Sequence, residues 1–291
     1  MISSKNTKTA VITGVSSGIG RAIASKLMED GWSVFGSVRK EADGEAALDA
    51  LGDGFTPLLF DVTDDASIKA AADEVEAILG GRTLDGLINN AGIAVAGPIR
   101  YIPLDDIKYQ FDVNVYGPIR VTQAFLPLLG ADSKYKGQPG KIVNMSSVAG
   151  KIAGPFMSPY SMSKHALEAF GDALRRELLV HGIDVITVGP GAVKTPIWAK
   201  GDDLDLSLYE GTEYFSLLER MRTSMKDYGN TGLEADEIGD LVASIMRTQR
   251  PATRYAILKN KFLMYTLPRM LPSRTLDGIL AGRFGIKKRK R

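Results

Sequence analysis

The sequence predicts an α/β fold built on a seven-stranded parallel sheet with helices on both faces. Short apolar runs alternate with segments of helical length, which is typical of strand–helix–strand units in a parallel sheet. A glycine-rich turn joins the first apolar run to the first helical segment. No internal repeat, low-complexity linker or shift in composition divides the chain of 291 residues. We therefore expect a single domain over residues 1–291, with its core at about residues 8–258.

The strands and helices are predicted from hydrophobic periodicity. Strands are expected at Thr9–Thr13, Ser33–Val38, Thr56–Phe60, Leu84–Ile88, Lys141–Ser146, Asp184–Val188 and near Arg254–Leu258. Helices are expected at Gly18–Asp30, Glu41–Leu51, Ala66–Leu79, Leu104–Val113, Gly117–Leu129, Pro159–His181 and near Glu234–Arg247. One face of the long sixth helix carries apolar residues at helical spacing, and we expect that face to be buried: Ala166, Ala169, Phe170, Ala173 and Leu174.

Two regions lie outside this alternation. Residues from about 196 to 232 form a stretch longer than most connections in a compact domain. Residues from about 259 to 291 follow the last strand and are predicted to form a helical C-terminal extension. That extension ends in the basic run Lys287–Arg291, and such runs are usually solvated ends of a chain.

Composition and charge exclude several classes of protein. The net charge of +2 is too small to indicate a nucleic-acid partner. The chain contains no cysteine, which excludes disulfides and thiolate catalysis, and its two histidines, His165 and His181, are too few for a histidine-based metal cluster. The Asp202–Asp205 carboxylates lack supporting ligands, so we predict no metal site. The N-terminus has no signal-peptide pattern and no apolar run suits a membrane span, so we expect a cytoplasmic protein.

The glycine-rich turn reads Thr-Gly-Val-Ser-Ser-Gly-Ile-Gly from Thr13 to Gly20. Glycine there allows a sharp turn, lets backbone N–H groups approach a pyrophosphate, and lets the helix pack closely on the strand. The helix N-terminus adds free N–H donors and the positive end of its dipole. We therefore predict a dinucleotide site of the doubly wound, Rossmann type, formed by Gly14, Ser16, Ser17, Gly18, Ile19 and Gly20.

The end of the second strand indicates which dinucleotide is bound. NAD sites usually place an acidic residue there to bond the ribose 2′-hydroxyl. This chain has Arg39 and Lys40 instead, with no acidic residue before Glu41. A guanidinium suits a 2′-phosphate, which it can clasp through two N–H groups. We expect NADP(H) in preference to NAD(H), with Ser16 as a second group on the phosphate. The alternative is that both cations are solvated loop charges.

A phenol and an ammonium group four residues apart predict acid–base chemistry. Tyr160 and Lys164 lie on one face at the start of the long helix. Free tyrosine has a pKa near 10 and is a poor catalyst at neutral pH, but a nearby cation stabilises the phenolate. Ser146 and Ser147 follow the fifth strand, where ligands of parallel sheets bind. A serine hydroxyl there could hold a substrate oxygen beside the phenol.

These motifs together resemble the short-chain dehydrogenase/reductase family, in its branch of compact single-domain members, over about residues 9–200. The resemblance implies a catalytic set of Asn114, Ser147, Tyr160 and Lys164, with Ser146 the weaker candidate for the serine. In the family the asparagine holds a water near the lysine, which also bonds the nicotinamide ribose. The remaining motifs are implied to contact the cofactor: Asp61 and Val62; Asn90, Ala91 and Gly92 after the sheet-steadying Asn89; and Pro190, Gly191, Val193 and Thr195.

The resemblance also implies a mechanism and a class of substrate. In reduction, hydride passes from nicotinamide to a carbonyl carbon while Ser147 and Tyr160 bond the oxygen, Tyr160 donates the proton, and Lys164 keeps the phenol's pKa low. Residues 196–232 occupy the substrate-lid position of the family. Their apolar character favours an apolar, steroid-like or lipid carbonyl or alcohol: Ile197, Trp198, Leu204, Leu206, Leu208, Tyr209, Tyr214, Phe215, Leu217 and Leu218. Phe156 and Met157 line the same pocket or belong to the core.

Several alternatives stay open at this point. The substrate could be a small xenobiotic ketone or aldehyde, and the apolar lid residues could simply pack the lid onto the domain. A non-catalytic NADP-binding sensor is a further possibility, although such proteins usually lose the tyrosine or lysine. The family often forms homodimers or homotetramers through helices that correspond to 116–129 and 159–181. Apolar residues of the C-terminal extension could, with its basic end, contact an anionic membrane: Phe262, Leu263, Met264, Leu267 and Leu271.

Overall fold

A computed structural model describes residues 7–195 and 206–286. It contains one seven-stranded, fully parallel sheet in the order β3-β2-β1-β4-β5-β6-β7, so the predicted fold class is confirmed. The strands are β1 Thr9–Ile12, β2 Ser33–Val38, β3 Phe55–Leu59, β4 Gly86–Asn89, β5 Lys141–Met145, β6 Asp184–Pro190 and β7 Arg254–Ile257. All but one begin within one residue of the predicted position; β4 begins two residues late because Leu84 N–H bonds the Leu128 carbonyl instead of a strand.

Helices cover both faces of the sheet. They are α1 Gly18–Glu29, α2 Glu41–Leu51, α3 Asp65–Leu79, α4 Leu104–Phe111, α5 Gly117–Phe125, α6 Ser158–Glu177, α7 Phe215–Asn230, α8 Ala235–Arg247, α9 Leu267–Met270 and α10 Ser273–Phe284. Wider turns of π type occupy Asp112–Tyr116, Pro127–Ala131 and Phe262–Thr266, and 3₁₀ turns occupy Val148–Gly150, Leu178–His181 and Leu206–Tyr209. The helices of the C-terminal extension agree with the prediction, whereas α7 was not predicted.

The alternation of side chains along each strand divides the core into two layers. On β1, Ala10 and Ile12 face a layer with α1 and α8, while Val11 faces a layer with α3 and α5. Both layers are closed by fully buried apolar side chains such as Leu27 and Phe125. The first and fourth strands are neighbours, so the order of strands reverses between them and opens a crevice at their carboxyl ends.

The predicted buried face of α6 is confirmed only at Leu174. Ala169 and Ala173 are exposed, and Ala166 and Phe170 are only partly covered. The covered face instead carries Lys164, Leu167, Glu168, Gly171 and Leu174. The helix turns its charged residues inward because they find polar partners there, while Gly171 allows the helix to approach Thr187 of β6: an added Cβ would lie 2.8 Å from the threonine hydroxyl.

Candidate active site

A cleft lies at the carboxyl ends of the strands, around the point where the strand order reverses. It is lined by most of the residues predicted to bind a dinucleotide: Gly14, Ser16, Ser17, Gly18, Ile19, Gly20, Arg39, Asp61, Val62, Asn90, Ala91, Gly92, Tyr160, Lys164, Pro190 and Thr195. Lys40, Gly191 and Val193 are not among its lining residues. Ser146, the weaker candidate for the catalytic serine, lines the cleft too, and so do residues that no motif predicted: Ser37, Val38, Asp43, Phe60, Ile93, Tyr109, Val113 and Met145.

The glycine turn has the shape that a pyrophosphate requires. Gly14 has a φ of 73° and Gly18 a φ of 59°, values that favour glycine. A Cβ on Gly20 would lie 2.1 Å from the Gly14 carbonyl oxygen, so no larger residue fits. Ser17 precedes α1 without a side-chain cap, which leaves the first helical N–H groups directed at the cleft. These features, positive φ at two glycines and free N–H groups at a helix start, fit the phosphates of a dinucleotide.

Neighbouring side chains hold the turn in place. Asn90 Nδ2 donates to the carbonyl oxygens of Thr13 (2.9 Å) and Gly14 (3.0 Å). Arg21 donates to the carbonyl oxygens of Val15 (3.0 Å) and Ser16 (2.7 Å). Asn90 thus bonds the turn rather than being free for the cofactor. No sequence pattern indicated Arg21, since an arginine on the first turn of a helix is by itself an ordinary surface residue.

The region after β2 carries charges of both signs. Arg39 is exposed and lines the cleft, whereas its neighbour Lys40 stands at the N-terminus of α2, outside the lining. Asp43 also lines the cleft. Ser37 Oγ accepts from Gly14 N–H at 2.9 Å, which joins the end of β2 to the glycine turn. After β3, Asp61 Oδ1 accepts from Thr63 N–H (2.9 Å) and Thr63 Oγ1 (2.8 Å), while Val62 packs against Gly117.

Tyr160 and Lys164 line the cleft, and Ser147, the predicted catalytic serine, is buried beside Tyr160 without being one of the lining residues. Tyr160 is partly buried, and the Lys164 ammonium lies 5.8 Å from its ring centre. Lys164 Nζ donates to the Met145 carbonyl at 2.9 Å. The Ser147 hydroxyl interacts with the Tyr160 hydroxyl and accepts from Ala149 N–H at 3.1 Å. Ser146 also lines the cleft, but its hydroxyl has no hydrogen-bond partner within the described part of the chain.

Burial shifts the pKa values of Tyr160 and Lys164 in opposite directions. Burial raises the pKa of Tyr160 above its ordinary value, and the hydrogen bond from Ser147 lowers it only in part. Burial also lowers the pKa of Lys164 to about 8, against the opposing effect of Glu168. The expected lowering of the Tyr160 pKa by Lys164 is therefore not found: desolvation of the phenolate outweighs the cation. Tyr160 is protonated at neutral pH, the form that a proton donor requires.

Asn114 is fully buried in the wide turn Asp112–Tyr116 between α4 and α5. Its Oδ1 accepts from Ile93 N–H (2.9 Å), and its Nδ2 donates to the Ile93 carbonyl (3.0 Å) and to Ser163 Oγ (3.1 Å). Gln110, one helical turn earlier, binds the same loop: it donates to the Ile93 carbonyl (2.8 Å) and accepts from Val95 N–H (2.6 Å). The sequence analysis missed Gln110 and Ser163. The spacing of Gln110 from Asn114 was the only signal for the former.

The segment after β6 closes the cleft from the other side. Pro190 and Thr195 line it, and the Pro190 carbonyl lies 3.5 Å from Ser147 Oγ. Gly191 N–H bonds the Ile257 carbonyl at 2.8 Å, and a Cβ on Gly191 would lie 2.6 Å from Leu258. Val193 is buried. Gly191 and Val193 therefore anchor this segment to the sheet instead of facing the cleft.

The described part of the lid packs as an aromatic cluster. Tyr101, Phe156, Tyr209 and Tyr214 meet edge to face, with ring centres 5.8–6.2 Å apart. Leu206, Phe215, Leu218, Met221 and Phe284 complete this group, which we call the lid cluster. Phe156 has a φ of 63°, an unfavourable value for a residue with a side chain. Leu208 is exposed, and Ile197, Trp198 and Leu204 lie outside the described residues.

The remaining residues considered in the sequence analysis lie away from the cleft or outside the described residues. His165 is exposed, and its Nδ1 lies 2.8 Å from the Ser161 carbonyl on the same helix. Asp202–Asp205 and Lys287–Arg291 lie outside the described residues. Within 7–195 and 206–286, no cluster of carboxylates and histidines suits a metal ion. No helix in that part of the chain is long and apolar enough to cross a membrane.

Comparison with known proteins identifies the family of this chain. The sequence pattern of the short chain dehydrogenase family matches residues 8–204. The chain belongs to the short-chain dehydrogenase/reductase family. It is 37% identical to an NADPH-dependent 3-dehydrocapnine reductase of Ornithobacterium rhinotracheale, over 93% of this chain and 95% of that one. It is 31% identical to human retinol dehydrogenase 5, over 92% of this chain and 86% of the relative.

Solved structures of the family share the fold. A short-chain dehydrogenase from Streptomyces avermitilis superposes with a TM-score of 0.75 at 27% identity, over 98% of this chain and all of that one. A family member from Burkholderia phymatum, solved in complex with NAD, has the same TM-score at 25% identity, over 90% of this chain and 92% of that one. This short-chain dehydrogenase/reductase is therefore an oxidoreductase that uses a nicotinamide cofactor on CH–OH or carbonyl groups.

Proposed function

We propose that this enzyme is an NADP(H)-dependent reductase of an apolar ketone or aldehyde, with Tyr160 as the proton donor. The proposal rests above all on the position of Tyr160, whose phenol lies at the floor of the dinucleotide cleft beside Ser147 and Lys164. The bound nicotinamide would supply the hydride for the carbonyl carbon. The proton would be donated by Tyr160 and then replaced from solvent, while the chain's own side chains would orient the carbonyl oxygen.

The side chains divide the work as follows. Ser147 donates a hydrogen bond to the carbonyl oxygen and so holds it beside the phenol. Tyr160 donates its proton to the same oxygen as negative charge develops there, a form of general acid catalysis worth about 10²–10⁴-fold in rate. Lys164, charged at neutral pH, supplies an ammonium group near the phenol and the nicotinamide ribose. Asn114 fixes the Ile93 loop opposite, and a water held by Asn114 stays part of the proposal.

The preference for NADP(H) rests on Arg39. This guanidinium lines the cleft after β2, where the adenosine ribose of a dinucleotide binds in doubly wound folds. Asp43 lines the same region, and its carboxylate would repel a phosphate. The preference for NADP(H) therefore requires that the attraction of Arg39 for the 2′-phosphate exceed the repulsion by Asp43. The NADPH dependence named for the Ornithobacterium relative supports this choice.

The class of substrate rests on the lid cluster. Aromatic rings from four separate segments of the chain meet in this cluster, and an apolar surface of this composition suits apolar ligands. The retinol dehydrogenase named among the relatives acts on an apolar alcohol. We infer a steroid-like or lipid carbonyl in preference to a small xenobiotic one, with residues 196–232 as the lid.

The decisive experiment is a carbonyl panel assayed with NADPH and NADH side by side. It should contain long-chain, steroid-like and small ketones and aldehydes. We expect NADPH to be consumed, with kcat/KM rising with the apolar surface of the substrate. Equal rates with small carbonyls would favour the xenobiotic alternative. NADPH binding without turnover of any member would favour a sensor.

Assembly and location are proposed separately. We infer a single-domain, cytoplasmic subunit that forms a homodimer or homotetramer through α5 and α6, because Tyr116, Ala169 and Ala173 are exposed there. Light scattering after Ala173→Arg would test this, with a fall in mass expected.

Contact with an anionic membrane has support from Phe262, Leu263 and Met270, which are 64%, 61% and 75% exposed. Pelleting with anionic vesicles at low salt would support it, and its absence would exclude it.

A further inference from the structure

A buried charge pair lies one helical turn behind the active lysine. Glu168 is only 5% exposed and follows Lys164 by four residues on α6. Arg254 of β7 grips its carboxylate with two hydrogen bonds, Nε to Oε2 at 2.8 Å and Nη2 to Oε1 at 2.9 Å. The Lys151 ammonium adds a contact of 3.2 Å to Oε2. A buried carboxylate needs such partners, because an unpaired charge in the interior is costly.

This pair packs directly against the catalytic loop. A Cβ on Gly150 would lie 2.7 Å from Ser146 Oγ, 3.0 Å from Glu168 Cγ and 3.0 Å from the Lys164 carbonyl, so these groups meet with no spare room. On the next strand, a Cβ on Gly189 would lie 2.7 Å from Arg254 Nη2 and 3.2 Å from the Ser147 carbonyl oxygen. The charge pair therefore supports both the helix that carries Lys164 and the loop that carries Ser147.

The same arginine reaches the C-terminal extension. Arg254 Nη1 donates to the Tyr265 hydroxyl at 2.6 Å, and Arg269 donates to that hydroxyl at 3.1 Å. Both guanidinium groups also lie over the Tyr265 ring, at 5.2 and 4.9 Å from its centre. Tyr265 is buried and lies beyond residues 8–204, the part of the chain that matches the family pattern. A chain of hydrogen bonds thus leads from the catalytic helix into the extension.

We propose that Glu168, held by Arg254 and through it by Tyr265, is a positioning residue that supplies the countercharge of Lys164 and fixes the Ser147 loop. The proposal rests on the role given to Lys164 under the proposed function. The titratable groups beside Lys164 on its own helix are Tyr160, whose ring centre lies 5.8 Å from the ammonium, and Glu168, four residues further on. The Glu168 carboxylate also binds the cations Arg254 of β7 and Lys151 of the loop after β5. Glu168 is the only anion among them.

The test measures NADPH affinity by fluorescence titration across pH, without any carbonyl substrate. In the wild-type enzyme, affinity should fall as Lys164 loses its proton, above about pH 8. Glu168→Gln removes the countercharge while keeping the shape, so the fall should move to lower pH by about one unit, which corresponds to a tenfold change. Glu177→Gln, at the exposed end of the same helix, is the matched control and should leave the profile unchanged.

A second variant keeps the test decisive if Glu168→Gln alone does not fold. Replacing a buried ion pair by apolar residues often leaves stability unchanged, so Glu168→Met/Arg254→Met should fold even where the single variant does not. We expect its profile to be shifted as well, and Tyr265→Phe to give a smaller shift. A folded Glu168→Gln or double variant with the wild-type profile would overturn the proposal. A wild-type enzyme that binds no NADPH at any pH would instead contradict the proposed function.

Discussion

The cofactor side and the lid side of the cleft are built in different ways. On the cofactor side, backbone groups do the binding, and the turn is held by a few short-range polar bonds such as those of Asn90 and Arg21. On the lid side, the cluster is assembled from aromatic rings at Tyr101, Phe156 and Tyr214, which lie far apart in the sequence. The cofactor turn is thus a local motif of the sequence, whereas the lid cluster is assembled from segments that are distant in the chain.

The catalytic residue at the junction of the two sides should show the largest effect. We expect Tyr160→Phe to lower kcat by about 10²–10⁴-fold, because the proton donor is lost while the ring and its packing stay. NADPH affinity should change little. Steady-state assays with the best carbonyl of the panel measure kcat, and fluorescence titration measures the affinity for NADPH. Undiminished turnover in this variant would remove Tyr160 from the mechanism.

On the cofactor side, Arg39→Asp should weaken NADPH strongly and NADH hardly at all. Loss of a charge-assisted pair costs about 1.5–3 kcal/mol, or roughly 10–100-fold in KM, and the new carboxylate would repel a 2′-phosphate. Lys40→Asp is the matched control, since Lys40 does not line the cleft, and it should have a small effect. Equal effects of the two variants would mean that general surface charge, and not a phosphate contact, sets the preference.

The pH dependence offers a smaller effect on the same side. Lys164 is charged below its pKa of about 8 and neutral above it, whereas the raised pKa of Tyr160 keeps the phenol protonated over this range. Hence kcat/KM for NADPH should be flat from about pH 6 to 7.5. It should fall about tenfold by pH 9, because Lys164 loses its positive charge over that range. A profile that stays flat to about pH 9 in wild type would contradict the role of Lys164.

The lid side should show the smallest change. Tyr214→Ala removes two edge-to-face contacts, each worth about 0.5–1.5 kcal/mol, so KM for a long apolar carbonyl should rise by about 2–10-fold. KM for a small aldehyde should hardly move. Leu208→Ala, at an exposed lid position, is the control. An equal rise for both substrates would show that the ring merely packs the lid onto the domain.

The sequence by itself determined the sheet, the cofactor turn and most of the predicted residues that line the cleft, because these depend on local periodicity and on glycine and asparagine at fixed spacing. Only the tertiary structure decided which face of α6 is buried, since the inward side is chosen by polar partners of Glu168 on β7 and by the space over Gly171. It likewise decided that burial dominates the Tyr160 pKa, and that Lys40, Gly191 and Val193 stand away from the cleft. Desolvation and long-range contacts arise from residues distant in the chain, and no spacing along a single sequence encodes them.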